Sequence, residues 1–182
     1  MTTLIVGLGN PGPEYAQTRH NFGSLTLDWL REHWDAPPFH SDSKLFSAVS
    51  SVVLDGRKVI LAKPLTFMNE SGQAVQALLR YFKLNLDSLI VIHDDLDLAP
   101  GTLRITHSSR AAGHNGVQDI ITTLGSQDFH RIRLGIGRPI ETQGVCLPAH
   151  DYVLGRFSAT ELTGFEPLFT AVEKSLRTHW TA

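Results

Sequence analysis

Gly7-Leu8-Gly9-Asn10-Pro11-Gly12 follows directly on Leu4-Ile5-Val6, a short apolar run that reads as a buried strand. A glycine- and proline-broken loop at the end of such a strand is where α/β proteins hold their ligands. The loop continues through Pro13-Glu14-Tyr15 to Arg19-His20-Asn21 before helical spacing begins. Gly7, Gly9 and Gly12 also satisfy the G-x-G-x-x-G dinucleotide pattern, which requires its last glycine to lead straight into a helix. Pro11 and Pro13 flank that glycine, and the acids about 20 residues on, Asp28 and Glu32, fall inside the next helix rather than at a strand end. No cofactor is expected here.

Outside the loop, the totals set limits. At 182 residues, with 42% hydrophobic and 19% charged residues, the chain reads as one soluble domain, residues 1–182. No apolar run approaches the roughly 20 residues that span a bilayer, and no secretory leader is visible. The lone Cys146 cannot form an intramolecular disulfide, which fits a reducing cytoplasm. A formal net charge of -2 gives a nucleic-acid partner no bulk support, so any basic footprint must be local.

Phe22, Leu25, Trp29 and Leu30 predict a helix from about Asn21 to Trp34. Leu45 to Leu54 and Lys58 to Ala62 are β-rich runs joined by Asp55-Gly56, a hairpin signal. A second helix shows Val75, Leu78, Leu79 and Phe82 on its apolar face, and Leu89-Ile90-Val91-Ile92 reads as a central strand buried on both faces. Pro100-Gly101 turns into a strand over Thr102 to Thr106, and Val117, Ile120, Ile121 and Leu124 mark a further helix. Arg131 to Gly137 alternates, with Ile132, Leu134 and Ile136 on one face and Arg131 and Arg133 on the other. Ser158-x-x-Glu161 predicts a capping box, and Pro167 starts or kinks the last helix. The expected fold is a single α/β domain with a mixed, mostly parallel twisted sheet and helices on both faces.

Asn10, His20, Asn69, Asp94, His114 and Asn115 all fall just beyond strand ends or at helix starts. The asparagines have ordinary readings: Asn10 as a turn initiator, Asn69 and Asn115 as helix N-caps. His20 is harder to explain structurally, since a neutral imidazole suits proton abstraction from water near neutral pH. His93-Asp94-Asp95-Leu96-Asp97 invites a Mg²⁺ reading, which would make the chain a phosphoester hydrolase. Adjacent residues of an extended run point apart, however, and one acid can instead orient an imidazole. There is no G-x-S-x-G elbow, and Cys146 has no adjacent base, so a covalent nucleophile is not expected.

Taken together, these stretches resemble the bacterial-type peptidyl-tRNA hydrolase family. The resemblance is carried by Gly7–Gly12 with Tyr15 and Thr18-Arg19-His20-Asn21, by Lys63-Pro64-x-Thr66-Phe67-Met68-Asn69-x-Ser71-Gly72, and by His93-Asp94-Asp95-Leu96-Asp97 with Pro100-Gly101. Gly113-His114-Asn115-Gly116, Phe129-His130-Arg131-x-Arg133-x-Gly135-Ile136-Gly137 and Tyr152-Val153-Leu154-Gly155-x-Phe157 extend it. It implies metal-independent cleavage of the ester between peptide and tRNA, recycling tRNA from aborted translation in the cytoplasm. It further implies His20 as general base, Asp94 as its orienting acid, and Asn10, Asn69 and Asn115 as groups that bind substrate and stabilise the oxyanion. Tyr15, Phe67, Met68 and His114 are further implied substrate contacts. The partner would be the acceptor stem and CCA end of peptidyl-tRNA, bound by a monomer without a membrane or cofactor. Thr106 stands where many members carry a lysine associated with the tRNA 5′-phosphate, so Arg104, Arg110 and Arg133 are the expected RNA contacts. The same resemblance leaves open a catalytically silent RNA-binding module.

Overall fold

The structure, a computed structural model, describes residues 2–139 and 147–181. Cys146 lies outside the described residues. The strands form one seven-stranded sheet in the order β2-β3-β4-β1-β5-β7-β6. They comprise β1 (Thr2–Gly7), β2 (His40–Asp42), β3 (Ser47–Leu54), β4 (Arg57–Pro64), β5 (Leu89–Asp95), β6 (Leu103–His107) and β7 (His130–Gly135). The central strands β4, β1, β5 and β7 run parallel, while β2, β3 and β6 pair antiparallel at the edges. Asp55 and Gly56 both take positive φ, 50° and 73°, the primed-turn geometry that suits the twist of the β3–β4 hairpin.

Helices cover both faces. On one, α1 (Phe22–His33) and α6 (Glu166–Thr181) pack Phe22, Leu27, Leu30, Phe169 and Val172 against Ile5, Ile90 and Ile132. On the other, α2 (Ser71–Phe82) and α3 (Asn115–Leu124) bring Val75, Leu78, Val117 and Ile120 against Leu4, Val6 and Val91. Strand β5 is buried at every position, as its unbroken apolar run requires. The short helices α4 (Ala149–Val153) and α5 (Ala159–Thr163) precede α6, and Ser158 with Glu161 forms the capping box. Pro167 sits in the first turn of α6, where its missing N–H has no intrahelical partner to lose.

The chain leaves β1 toward β4 on one side and, through α2, returns to β5 on the other. The C-terminal ends of β1 and β5 therefore form a switch point, the place where open α/β sheets leave a crevice. Helix α1 approaches this point very closely: a Cβ on Gly7 would lie 2.4 Å from the Gly23 carbonyl oxygen, and one on Gly23 2.1 Å from that of Ile92. Leu8 N–H donates to the Ile92 carbonyl and Ser24 N–H to that of Leu8, locking loop, strand and helix together. Gly7 thus admits a helix against the strand. The next helical turn, Arg19–Asn21, begins only after an irregular stretch, so no helix N-terminus follows Gly12.

Candidate active site

His20 lies in the short helical turn Arg19–Asn21 at the mouth of the crevice and is buried. Its turn is braced from far along the chain. Arg19 N–H donates to the Gly155 carbonyl, and the Arg19 guanidinium packs over Tyr152 and Phe157 and pairs with Glu161. Directly behind, Phe22 meets Phe157, Phe165 and Phe169 with ring centroids 4.5–5.9 Å apart. The imidazole is aimed by Asp94 at the end of β5: Nδ1 lies 3.0 and 3.1 Å from the two carboxylate oxygens.

A second imidazole reaches the same carboxylate. His114 Nε2 stands 2.9 Å from Asp94 Oδ1, and the two histidine rings are 4.8 Å apart. The tautomers follow from the partners. Val117 N–H donates to His114 Nδ1 at 3.3 Å, so that nitrogen is the bare one and Nε2 carries the proton given to Asp94. With Nδ1 of His20 donating to Asp94, His20 Nε2 keeps its lone pair. Burial alone would raise the Asp94 carboxyl, but the charges and hydrogen bonds of His20 and His114 outweigh it and hold the group well below the usual carboxylate range. The site therefore contains a permanent carboxylate between two imidazoles.

His114 is also the residue that caps α3, accepting from Val117 N–H, while Asn115 is the first residue of the helix and is exposed. The N-cap reading of Asn115 is thereby corrected: an imidazole nitrogen supplies the acceptor that was expected from the amide. Asn69 is no cap either. It lies in the turn Met68–Glu70, exposed, and Glu70 precedes α2 without a side-chain cap. The Gly72 N–H is satisfied instead by Asp119 of α3, at 2.7 Å.

Asn10 is more than a turn former. Its carboxamide oxygen accepts from Met68 N–H at 2.8 Å, while Asn21 clamps its backbone through N–H and C=O bonds of 2.8 and 2.9 Å. This ties the β1 loop to the Met68–Glu70 turn and leaves the Asn10 amide its two N–H donors for other use. Met68 is buried beneath, with Phe67 more than half exposed and Tyr15 half-buried in the same loop region. A cleft of about 340 Å³ opens beside this group, lined by His20, Asp94, His114, Asn115, Leu96 and Val153 among others. Asn10, Tyr15, Phe67, Met68 and Asn69 do not line it.

The acidic run disperses rather than converging. Asp94 faces the imidazoles, Asp95 pairs with Arg133, and Asp97 pairs with Arg138. That is not the shared oxygen cage a Mg²⁺ ion needs. His20, Asp94 and His114 do place three ligand-type atoms within 4.8 Å of one another. A metal on His114 Nε2 would move the ring proton to Nδ1, against the Val117 N–H that now donates to it. As protonated here, His114 Nε2 donates to Asp94 and offers no lone pair.

The basic residues also separate. Arg104 and Arg110 are exposed, whereas Arg133 is engaged by Asp95 with its side chain only 14% exposed. Arg131, which alternation sets on the face opposite Ile132 and Leu134, is fully buried. It does share a face with Arg133, but the segment before α3 covers it, and its guanidinium donates to the Ser109 and Arg110 carbonyls. Sequence reading also passed over His93 and Asn21 as working residues. Their signal was adjacency, since each flanks a chemically suggestive neighbour.

A family model described as peptidyl-tRNA hydrolase matches residues 4–182. The chain is 47% identical over 158 residues to a peptidyl-tRNA hydrolase of Geobacillus kaustophilus, covering 87% of this chain and 82% of that one. It is 48% identical over 157 residues to one from Bacillus pumilus, covering 86% and 80%. The crystal structure of peptidyl-tRNA hydrolase from Acinetobacter baumannii superposes with a TM-score of 0.82 at 34% identity, covering 93% of this chain and 83% of that one. With its fold and its sequence both aligned on one group, the chain belongs to the peptidyl-tRNA hydrolase family.

Proposed function

We propose that this chain hydrolyses the ester joining a peptide to the 3′-terminal ribose of tRNA, without a metal, using His20 as general base. The observation that carries the reading is the buried His20–Asp94 contact, which leaves His20 Nε2 free to accept a proton. A water bound at Nε2 loses its proton to the imidazole as its oxygen attacks the ester carbonyl. Asp94, already anionic, stabilises the imidazolium without itself taking the proton. His114 keeps that carboxylate in place from the other side. The oxyanion of the tetrahedral intermediate is met by side-chain amide N–H donors of Asn10, whose oxygen is held by Met68 N–H, and of Asn69 and Asn115. When the intermediate collapses, the proton on His20 Nε2 passes to the departing ribose oxygen. Tyr15, Phe67 and Met68 contact the peptide, and Arg104 and Arg110 contact phosphates of the acceptor stem; the work takes place in the cytoplasm, where translation supplies the substrate.

The test is cleavage of an N-acetyl-aminoacyl-tRNA in excess EDTA by the wild type and by His20→Ala. Cleavage that persists in chelator and falls about 10²–10⁴-fold in the variant is the expected result. Loss of wild-type activity in EDTA would move the chemistry to a metal. Bound tRNA left uncleaved by both proteins would make the chain a binding module.

A further inference from the structure

Arg131 is the largest fully buried side chain among the described residues, and no carboxylate there forms an ion pair with it. Its neighbour Asp95 is taken by Arg133. One terminal nitrogen of Arg131 donates to the Ser109 carbonyl at 2.7 Å, to the Ser109 hydroxyl and to the Arg110 carbonyl at 2.8 Å. The other lies 3.4 Å from His93 Nε2, and the Nε of Arg131 has no partner. Burying a guanidinium among neutral acceptors is unfavourable unless what it holds offsets the desolvation.

What it holds is the segment leading into His114. Ser108 and Ala112 sit at φ of 49° and 50°, a region that residues with a Cβ enter reluctantly, and Gly113 follows at 83°. Other polar ties from outside the segment are long: Ser108 N–H to the Phe129 carbonyl and Gln127 Nε2 to the Ser108 carbonyl, each at 3.4 Å. Through His93 the same guanidinium also reaches the Asp94 backbone. His93 Nδ1 donates to the Asp94 carbonyl at 2.7 Å, and its ring stands edge-on to His114 at 4.6 Å.

We propose that Arg131 is a positioning residue for the ester hydrolysis, its buried guanidinium latching the 108–112 backbone onto the sheet and so keeping His114 on the Asp94 carboxylate. The role rests on the His20–Asp94 reading above, yet its effect on the loop can be measured apart from turnover. Arg133, of the same residue type, does not share the role because Asp95 engages it.

Arg131→Lys is the informative variant, since it keeps the charge but offers one nitrogen in place of a planar fork. Amide hydrogen exchange of residues 108–113, the imidazole ¹⁵N shifts of His114, and kcat and KM on N-acetyl-aminoacyl-tRNA are measured together. The expected result is at least about tenfold faster exchange confined to that segment, loss of the single His114 tautomer, and kcat lowered about 10–100-fold with KM within about threefold. Adding Ala112→Gly to Arg131→Lys restores part of kcat, because a glycine accepts the left-handed conformation without outside support. Should Arg131→Lys not fold, Ser109→Ala removes one acceptor, the hydroxyl of a half-buried residue, and raises exchange of the same amides; unchanged exchange overturns the latch. A lower unfolding midpoint with kcat and His114 unaltered would reduce Arg131 to a core residue and overturn the proposal. Absence of cleavage by the wild type overturns the hydrolytic reading itself, whereas wild-type cleavage with undiminished kcat in Arg131→Lys overturns only the positioning role.

Discussion

His93 differs from the two imidazoles beside it in having no carboxylate to meet. Burial first, and then the neighbouring His114, push its pKa well below 6.5; the Asp94 charge pulls the other way, and Arg131 adds a lesser push downward. In the native protein it stays neutral where the unfolded chain would take up a proton. Stability contributed by this group is therefore complete above about pH 6.5 and is lost as pH falls from there toward the native value, at up to about 1.4 kcal/mol per pH unit. Asp94 has the opposite ionisation and the same outcome: its stabilising contribution is present above the unfolded carboxylate range and is lost as pH falls below about 4. His93→Asn retains a donor near the Nδ1 position but no titration. Urea midpoints at pH 7 and pH 5 should converge in that variant and separate in the wild type. Equal separation in both would place the acid sensitivity elsewhere.

Among the elements, α2 and α3 depend on each other at the point that carries the site. Helix α2 has no cap of its own, and Asp119 of α3 supplies the acceptor for Gly72 N–H. The approach is close: a Cβ on Gly72 would lie 2.3 Å from Thr123 Oγ1. Asp119→Ala removes an acceptor equivalent to a helix cap, worth about 1 kcal/mol. It also loosens the Met68–Glu70 turn that holds Asn10. Thermal unfolding should drop by a few degrees, about 2–4 °C for a chain of this size. KM for the peptidyl ester should rise more than kcat falls, because in the proposed mechanism the turn positions substrate and not the base. A pure stability change with KM intact would separate the cap from the site.

At the scale of the whole molecule, a net charge of -2 must coexist with a polyanionic substrate. Among the described residues, no helix is long and apolar enough to cross a membrane. Arg104, in register opposite Arg133 on the β6 edge of the sheet, and Arg110 are exposed; much of the other basic charge is paired. Binding to tRNA should accordingly weaken with salt through few contacts. Arg104→Ala should lower affinity and make the slope of log K against log salt shallower by roughly 0.7–0.9. A slope identical to wild type would remove Arg104 from the RNA footprint.

Periodicity and turn chemistry are local, and on those grounds the sequence determined the long strands, the Asp55-Gly56 hairpin, the double-buried β5, the Ser158 box and the apolar faces of the longer helices, but not the three-residue β2 or the short α4. It also picked out His20, Asp94 and the asparagine-bearing loops, because polar residues at strand ends have few structural duties. What it could not convey is which surface covers which. Alternation put Arg131 beside Arg133, but only the packing of the pre-α3 segment buried one while Asp95 neutralised the other. A cap looks the same in sequence whether it comes from Asn115 or from His114, and the choice followed from where α3 docks on β5. The same holds for Asp94, whose two imidazoles come from loops about 94 positions apart in the chain. Contacts of that kind depend on the three-dimensional arrangement of elements, which no local pattern encodes, and so the tertiary structure alone decided the tautomers, the charge state and the bracing of the site.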